Sequence, residues 1–115
     1  MMFVLLTRYT TADRDEAVLE AHRNWLFPKY EDGTFIFSGG FGSFVEGPEG
    51  ELSALALLQA ESYEEAKALV DSEPFFVNGN CTQDLLPFTA RVRASGLDAI
   101  FGDDLIVVTP ATTAS

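Results

Sequence analysis

The chain has 115 residues, 47% of them hydrophobic, and a formal net charge of -11 from 18 acidic and 7 basic side chains. That length provides one domain, and that charge repels phosphate backbones and anionic lipid, so neither nucleic acid nor a membrane is expected as a partner. A single cysteine, Cys81, can form neither an intrachain disulfide nor a thiolate-rich metal site, and it fits a reducing cytoplasm.

In chain order, residues 2–9 read as a strand that is apolar on both faces through Phe3, Val4, Leu5 and Leu6. This opening run is too short for a signal-peptide core. Residues 10–13 form a turn with capping side chains, and a helix over 13–31 follows, with Val18, His22, Trp25 and Leu26 on one face. Pro28 within it predicts a kink or an early stop. The Asp32-Gly33 turn leads into a strand over 34–39, then a glycine-rich loop over 39–50 carrying Phe41 and Phe44. Residues 51–60 form the next strand, again apolar on both faces. Ser62 with Glu65 makes a capping-box pattern for a second helix. That helix carries Ala66, Leu69 and Val70 and ends near Ser72, because Pro74 disfavours helical geometry at Glu73. A short turn over 75–79 precedes a long strand over 81–93, and Pro87 places that strand at a sheet edge.

The order β-α-β-β-α-β is that of an α+β ferredoxin-like domain, one antiparallel sheet with both helices on one face. Ten phenylalanines in so short a chain, and strands apolar on both faces, call for a second cover on the open face. A homodimer packing sheet against sheet supplies it. Residues 94–115 form an extension to a domain at 1–93. Within it 97–108 is apolar enough to pack, 105–109 suits an added strand, and 109–115 frays.

His22 is the only histidine. Its apolar helical face admits a core role, or a general acid or base whose imidazole needs a carboxylate to orient it. Asp32 and Glu73 are the candidates, and each also has an ordinary reading, as turn chemistry or as a loop charge. Ser38-Gly39-Gly40 closes the second strand, where a hydroxyl and a bare backbone suit a ligand. The spacing of glycines matches no dinucleotide or phosphate loop, and one histidine and one distant cysteine do not make a zinc site, so no cofactor or metal is expected.

The opening strand MFVLLTRY, the AHRNWL segment with His22, DGTFIFSGG with Asp32, Ser38 and Gly39, and DSEPFFVNG with Glu73 together resemble the YciI-like (YCII-related) family from residue 2 to about 93. The resemblance implies a dimeric α/β-barrel type of assembly, with a pocket beside the histidine. It also implies a His–Asp pair with a nearby serine as the active site, and a relationship to an enzyme that eliminates HCl from a chlorinated hydroxyhydroquinone. Two positions depart from the family pattern. Glu73 stands where an aspartate usually precedes the proline, and Gly40 stands where SGP is common.

Two functions therefore stay open. One is a lyase or isomerase working without a cofactor. In it His22 moves a proton on a small cyclic or aromatic substrate, Asp32 or Glu73 orients the imidazole, and Ser38, Gly39 and Trp25 hold the substrate. The other is a non-catalytic dimer that binds a small ligand or a protein, with His22 structural. A catalytic His22 should reach a concave pocket and bond a carboxylate, whereas a structural one should be enclosed.

Overall fold

The computed structural model describes residues 1–10, 15–47, 50–102 and 105–109. The elements run β1 (Met2–Tyr9), α1 (Glu16–Glu31), β2 (Phe35–Gly47), β3 (Gly50–Gln59), α2 (Tyr63–Asp71), α3 (Pro74–Val77) and β4 (Cys81–Phe88), and then β5 (Val92–Ala94), α4 (Asp98–Phe101) and β6 (Ile106–Val108). The main sheet has the order β2-β3-β1-β4, antiparallel throughout, which is the ferredoxin-like arrangement. No helix among the described residues is long and apolar enough to cross a membrane.

Helix α1 begins after Asp15, whose carboxylate accepts from the Ala17 amide at 3.1 Å; the expected turn at residues 11–13 lies outside the described residues. It runs through Pro28 to Glu31, so the expected early stop does not occur. The bond Pro28 cannot make would go to the carbonyl of Asn24, and both residues lie on the exposed side, where that carbonyl is open to solvent. At α2 the Ser62 hydroxyl accepts from the Glu65 amide at 3.1 Å, as its sequence pattern predicts.

Two other expectations are corrected. The segment expected as a loop, in part extended, over 39–50 is strand in its described residues: β2 continues to Gly47 and β3 starts at Gly50, because cross-strand pairing of residues 45–47 with 50–52 outweighs the glycine content. The strand expected over 81–93 is broken, since β4 ends at Phe88 and Val92–Ala94 pairs in parallel with β6 as a separate two-stranded sheet. Arg93 holds that small unit together. Its buried guanidinium donates to the carbonyls of Gly102 (2.8 Å) and Ala94 (3.1 Å) and pairs with Asp98 at 2.7 Å. The strand expected at 105–109 is β6; the terminal segment expected to fray lies, from residue 110 on, outside the described residues.

Register sorts the side chains into rows across the helix-covered face. Phe35, Leu58, Phe3 and Pro87 form one row, Ser38, Ala56, Leu5 and Leu85 the next, and Gly40, Ala54, Thr7 and Gln83 the third. The core is built on the first two rows: Phe3, Leu5, Phe35, Ala56, Leu58 and Leu85 pack with Ala66 and Val70 of α2, while Trp25, Leu26 and Tyr30 of α1 lean on the edge of that cluster. Along the rows toward Gly40 and Thr7 the residues from β2 and β3 become small, and the space they leave is not filled.

Candidate functional site

That space is a cavity of about 450 Å³ between α1, the start of α3 and the sheet, within the usual size range of small-molecule sites. Gly40, Ala54 and Ala56 give it depth. Leu5, Leu26, Phe35 and Phe75 make it largely apolar, and Thr7, Ser38, Ser53 and Gln83 add neutral polar groups.

His22 and Glu73 stand at its wall. The imidazole Nδ1 lies 2.6 Å from a Glu73 carboxylate oxygen, across 51 positions of sequence. Glu73 is the residue before Pro74, so its backbone is extended (φ -64°, ψ 128°) and it caps α3. Its second oxygen accepts from the Phe76 amide at 3.1 Å. The carboxylate is thus tied at both oxygens and only 6% exposed, while the His22 side chain is 23% exposed and borders the cavity. The ring stacks on Phe75 with centroids 4.5 Å apart and planes at 29°. Phe75 in turn meets Tyr9 edge-on at 5.6 Å. Among the described residues no side chain bonds Nε2 of His22. With Nδ1–H donating to the carboxylate, Nε2 carries the lone pair of the neutral ring, and it carries a transferable proton once the ring is charged. The arrangement can take up a proton from a ligand in the cavity and return one.

Trp25 is held as a wall of the cavity by its indole N–H, which donates to Ser72 Oγ at 3.0 Å; that hydroxyl donates onward to the Leu69 carbonyl at 2.6 Å. Ser38 lines the cavity and accepts a hydrogen bond from the Tyr30 hydroxyl. A bulge between Phe35 and Phe37 puts it there. Phe35 pairs with Leu58 but Phe37 with Leu57, so Phe37 turns to the opposite face and Ser38 comes back to the cavity side.

Of the six residues singled out in the sequence, His22, Glu73, Ser38, Gly39 and Trp25 border the cavity, and Asp32 does not. Asp32 sits at the C-terminal end of α1 beside Gly33, whose φ of 84° the turn requires. Its side chain accepts from the Thr34 amide at 2.9 Å. Hydrogen bonds from Thr34, with a smaller contribution from the charge of Lys29, hold its carboxyl below the ordinary range. The place beside His22 belongs to Glu73. Phe75, Thr7, Ser53, Tyr30 and Gln83 were not singled out. Phe75 lies in the DSEPFFVNG segment and Tyr30 on α1, but only the pairing of strands reveals Thr7, Ser53 and Gln83.

The chain belongs to the YCII-related domain family, whose profile matches residues 1–89. Among solved structures it is similar to the 5-chloro-2-hydroxyhydroquinone dehydrochlorinase of Burkholderia phenoliruptrix in complex with 2,5-dihydroxybenzoquinone. The two share 18% identity and a TM-score of 0.55 over 76% of this chain and 93% of that one. At that identity the likeness establishes a common fold. No curated protein matches the chain.

Proposed function

We propose that the protein is an enzyme of lyase or isomerase type in which His22, oriented by Glu73, transfers a proton on a small cyclic substrate without a cofactor. The observation that carries this reading is the 2.6 Å contact between His22 Nδ1 and a nearly buried carboxylate at the wall of an accessible apolar cavity. In an elimination the ring reacts as its keto tautomer, in which the chlorine-bearing carbon is tetrahedral. Nε2 takes the proton of a ring hydroxyl conjugated with that carbon, the oxygen becomes a carbonyl, and the double bond shifts as chloride leaves, so that HCl is lost and a quinone forms. In an isomerisation the same nitrogen returns the proton elsewhere on the ring. Aromatic walls from Trp25, Phe35 and Phe75 suit a flat ring, and Ser38 offers a hydroxyl to its substituents. The structural neighbour, named for dehydrochlorination and bound to a dihydroxybenzoquinone, supports a substrate of this shape.

Two assays test the reading: chloride release from 5-chloro-2-hydroxyhydroquinone, and ring-proton exchange of hydroxyhydroquinone in D2O. The expected result is turnover in at least one, reduced about 10²-fold or more in His22→Gln, with the circular dichroism of the variant unchanged. An undiminished rate in His22→Gln removes the proton-transfer role. If neither substrate reacts and His22→Gln fails to fold, the imidazole is structural and the protein is a binding module.

A further inference from the structure

Gln83 lies on β4, directly across from Thr7 of β1 in the row that floors the cavity. Its side-chain oxygen is shielded from water and has no hydrogen-bond partner. Buried polar atoms in folded proteins are paired as a rule, so an enclosed lone acceptor on a residue that borders the cavity gives the fold no hydrogen bond, and the amide must turn about its side-chain bonds to present it to a ligand. The amide does not hold the local fold together. Two nearby hydroxyls already accept hydrogen bonds within the fold: Ser53 from the Tyr9 amide at 3.0 Å, and Ser38 from Tyr30. A half turn about the last side-chain bond exchanges the oxygen and the NH2, so the group can offer a ligand either an acceptor or a donor. Gln83 also borders a smaller hollow of about 210 Å³ beside Lys67 and Asp71, but those two charges pair with each other at 2.7 Å and make no demand on the amide.

We propose that Gln83 is the specificity residue of the cavity, hydrogen-bonding a hydroxyl or carbonyl oxygen on the ring that His22 acts upon. This rests on the proton-transfer reading of the same site and adds the substrate class, an uncharged ring bearing oxygen substituents. A neutral amide with no lysine or arginine beside it among the described lining residues suits such groups, and a carboxylate or phosphate ester would meet Glu73 without a counter-charge. A site built to bond an oxygen also rejects the analogue that lacks it, because the amide is then left unpaired.

The test compares wild type with Gln83→Met, using hydroquinone and para-xylene as probes of one shape with and without oxygens. NMR follows the His22 ring and the Gln83 side-chain amide. Hydroquinone should shift both signals in the wild type and bind about tenfold more weakly to Gln83→Met, while para-xylene binds the variant at least as well as the wild type. The unliganded variant should melt at the same temperature as the wild type or higher. A lower melting temperature makes the amide a structural group and overturns the inference. So does equal hydroquinone affinity in the two proteins, or hydroquinone that leaves both signals unmoved. The exchange and chloride assays on His22→Gln decide the proton-transfer role separately, so the two readings can fail independently.

Discussion

Glu73 serves two donors at once, the His22 ring and the Phe76 amide, and only a carboxylate offers an acceptor to each. In Glu73→Gln one of the two must face an NH2 group instead. We expect a loss of about 1–3 kcal/mol in denaturant unfolding, with proton-transfer activity falling by about 10²-fold or more. Retained activity with the lower stability would leave Glu73 as a helix cap alone. The neighbouring Cys81 thiol feels the same carboxylate. Burial, and then the charge of Glu73, push it from 9.0 up to about 12. Below pH 9 the folded and unfolded chains both hold this proton, so its contribution is fully present. Between pH 9 and about 12 only the unfolded chain releases it, and stability falls by about 1.4 kcal/mol per pH unit. Cys81→Ala should lack this slope, so the two unfolding curves should converge as pH rises above 9. Parallel curves would show that the thiol ionises alike in both states.

At the scale of elements, the cavity follows from small residues standing where the sheet would otherwise be filled. Ala54 and Gly40 face α1 in the row next to the packed one, with Thr7 beside Ala54. Ala54→Leu should therefore fill the open space without overpacking the core. We expect a stability change within about 1 kcal/mol and loss of hydroquinone binding; a large destabilisation would show that the space is not there. Strands β1, β3 and β4 and helices α1 and α2 were legible, because apolar runs, the Ser62 cap and Pro87 are local signals, whereas β5 and α4 were not. The pairing of His22 with a carboxylate was one of two readings the residues left open, and it was the family resemblance that implied it. Which carboxylate was not legible, because Asp32 is near in sequence while Glu73 reaches His22 only once α1 packs on α3. The glycine run over 39–50 concealed the long β2–β3 hairpin for the same reason: its pairing is not local. The Phe35/Phe37 bulge left no trace in the alternation of residues, although it brings Ser38 to the cavity.

For the whole molecule, the sheet face turned away from the helices carries Phe37, Leu86 and Phe88, which are 51%, 47% and 43% exposed. Register places Val4, Leu6 and Leu55 among them on that same face. A contiguous apolar surface of this kind is costly to leave in water, and we propose that a second copy covers it, sheet on sheet. The Arg8–Asp84 ion pair lies within the same face. Association must overcome repulsion between two subunits that each carry a net charge of -11. Added salt screens that repulsion, so the dimer should tighten between low and physiological ionic strength, the reverse of an interface held by opposite charges. Leu86→Glu should give a monomer by light scattering at micromolar concentration with unchanged circular dichroism, because Leu86 is exposed in the single subunit and a carboxylate there costs little until the faces meet. A wild-type chain that stays monomeric at every salt concentration would sink the dimer.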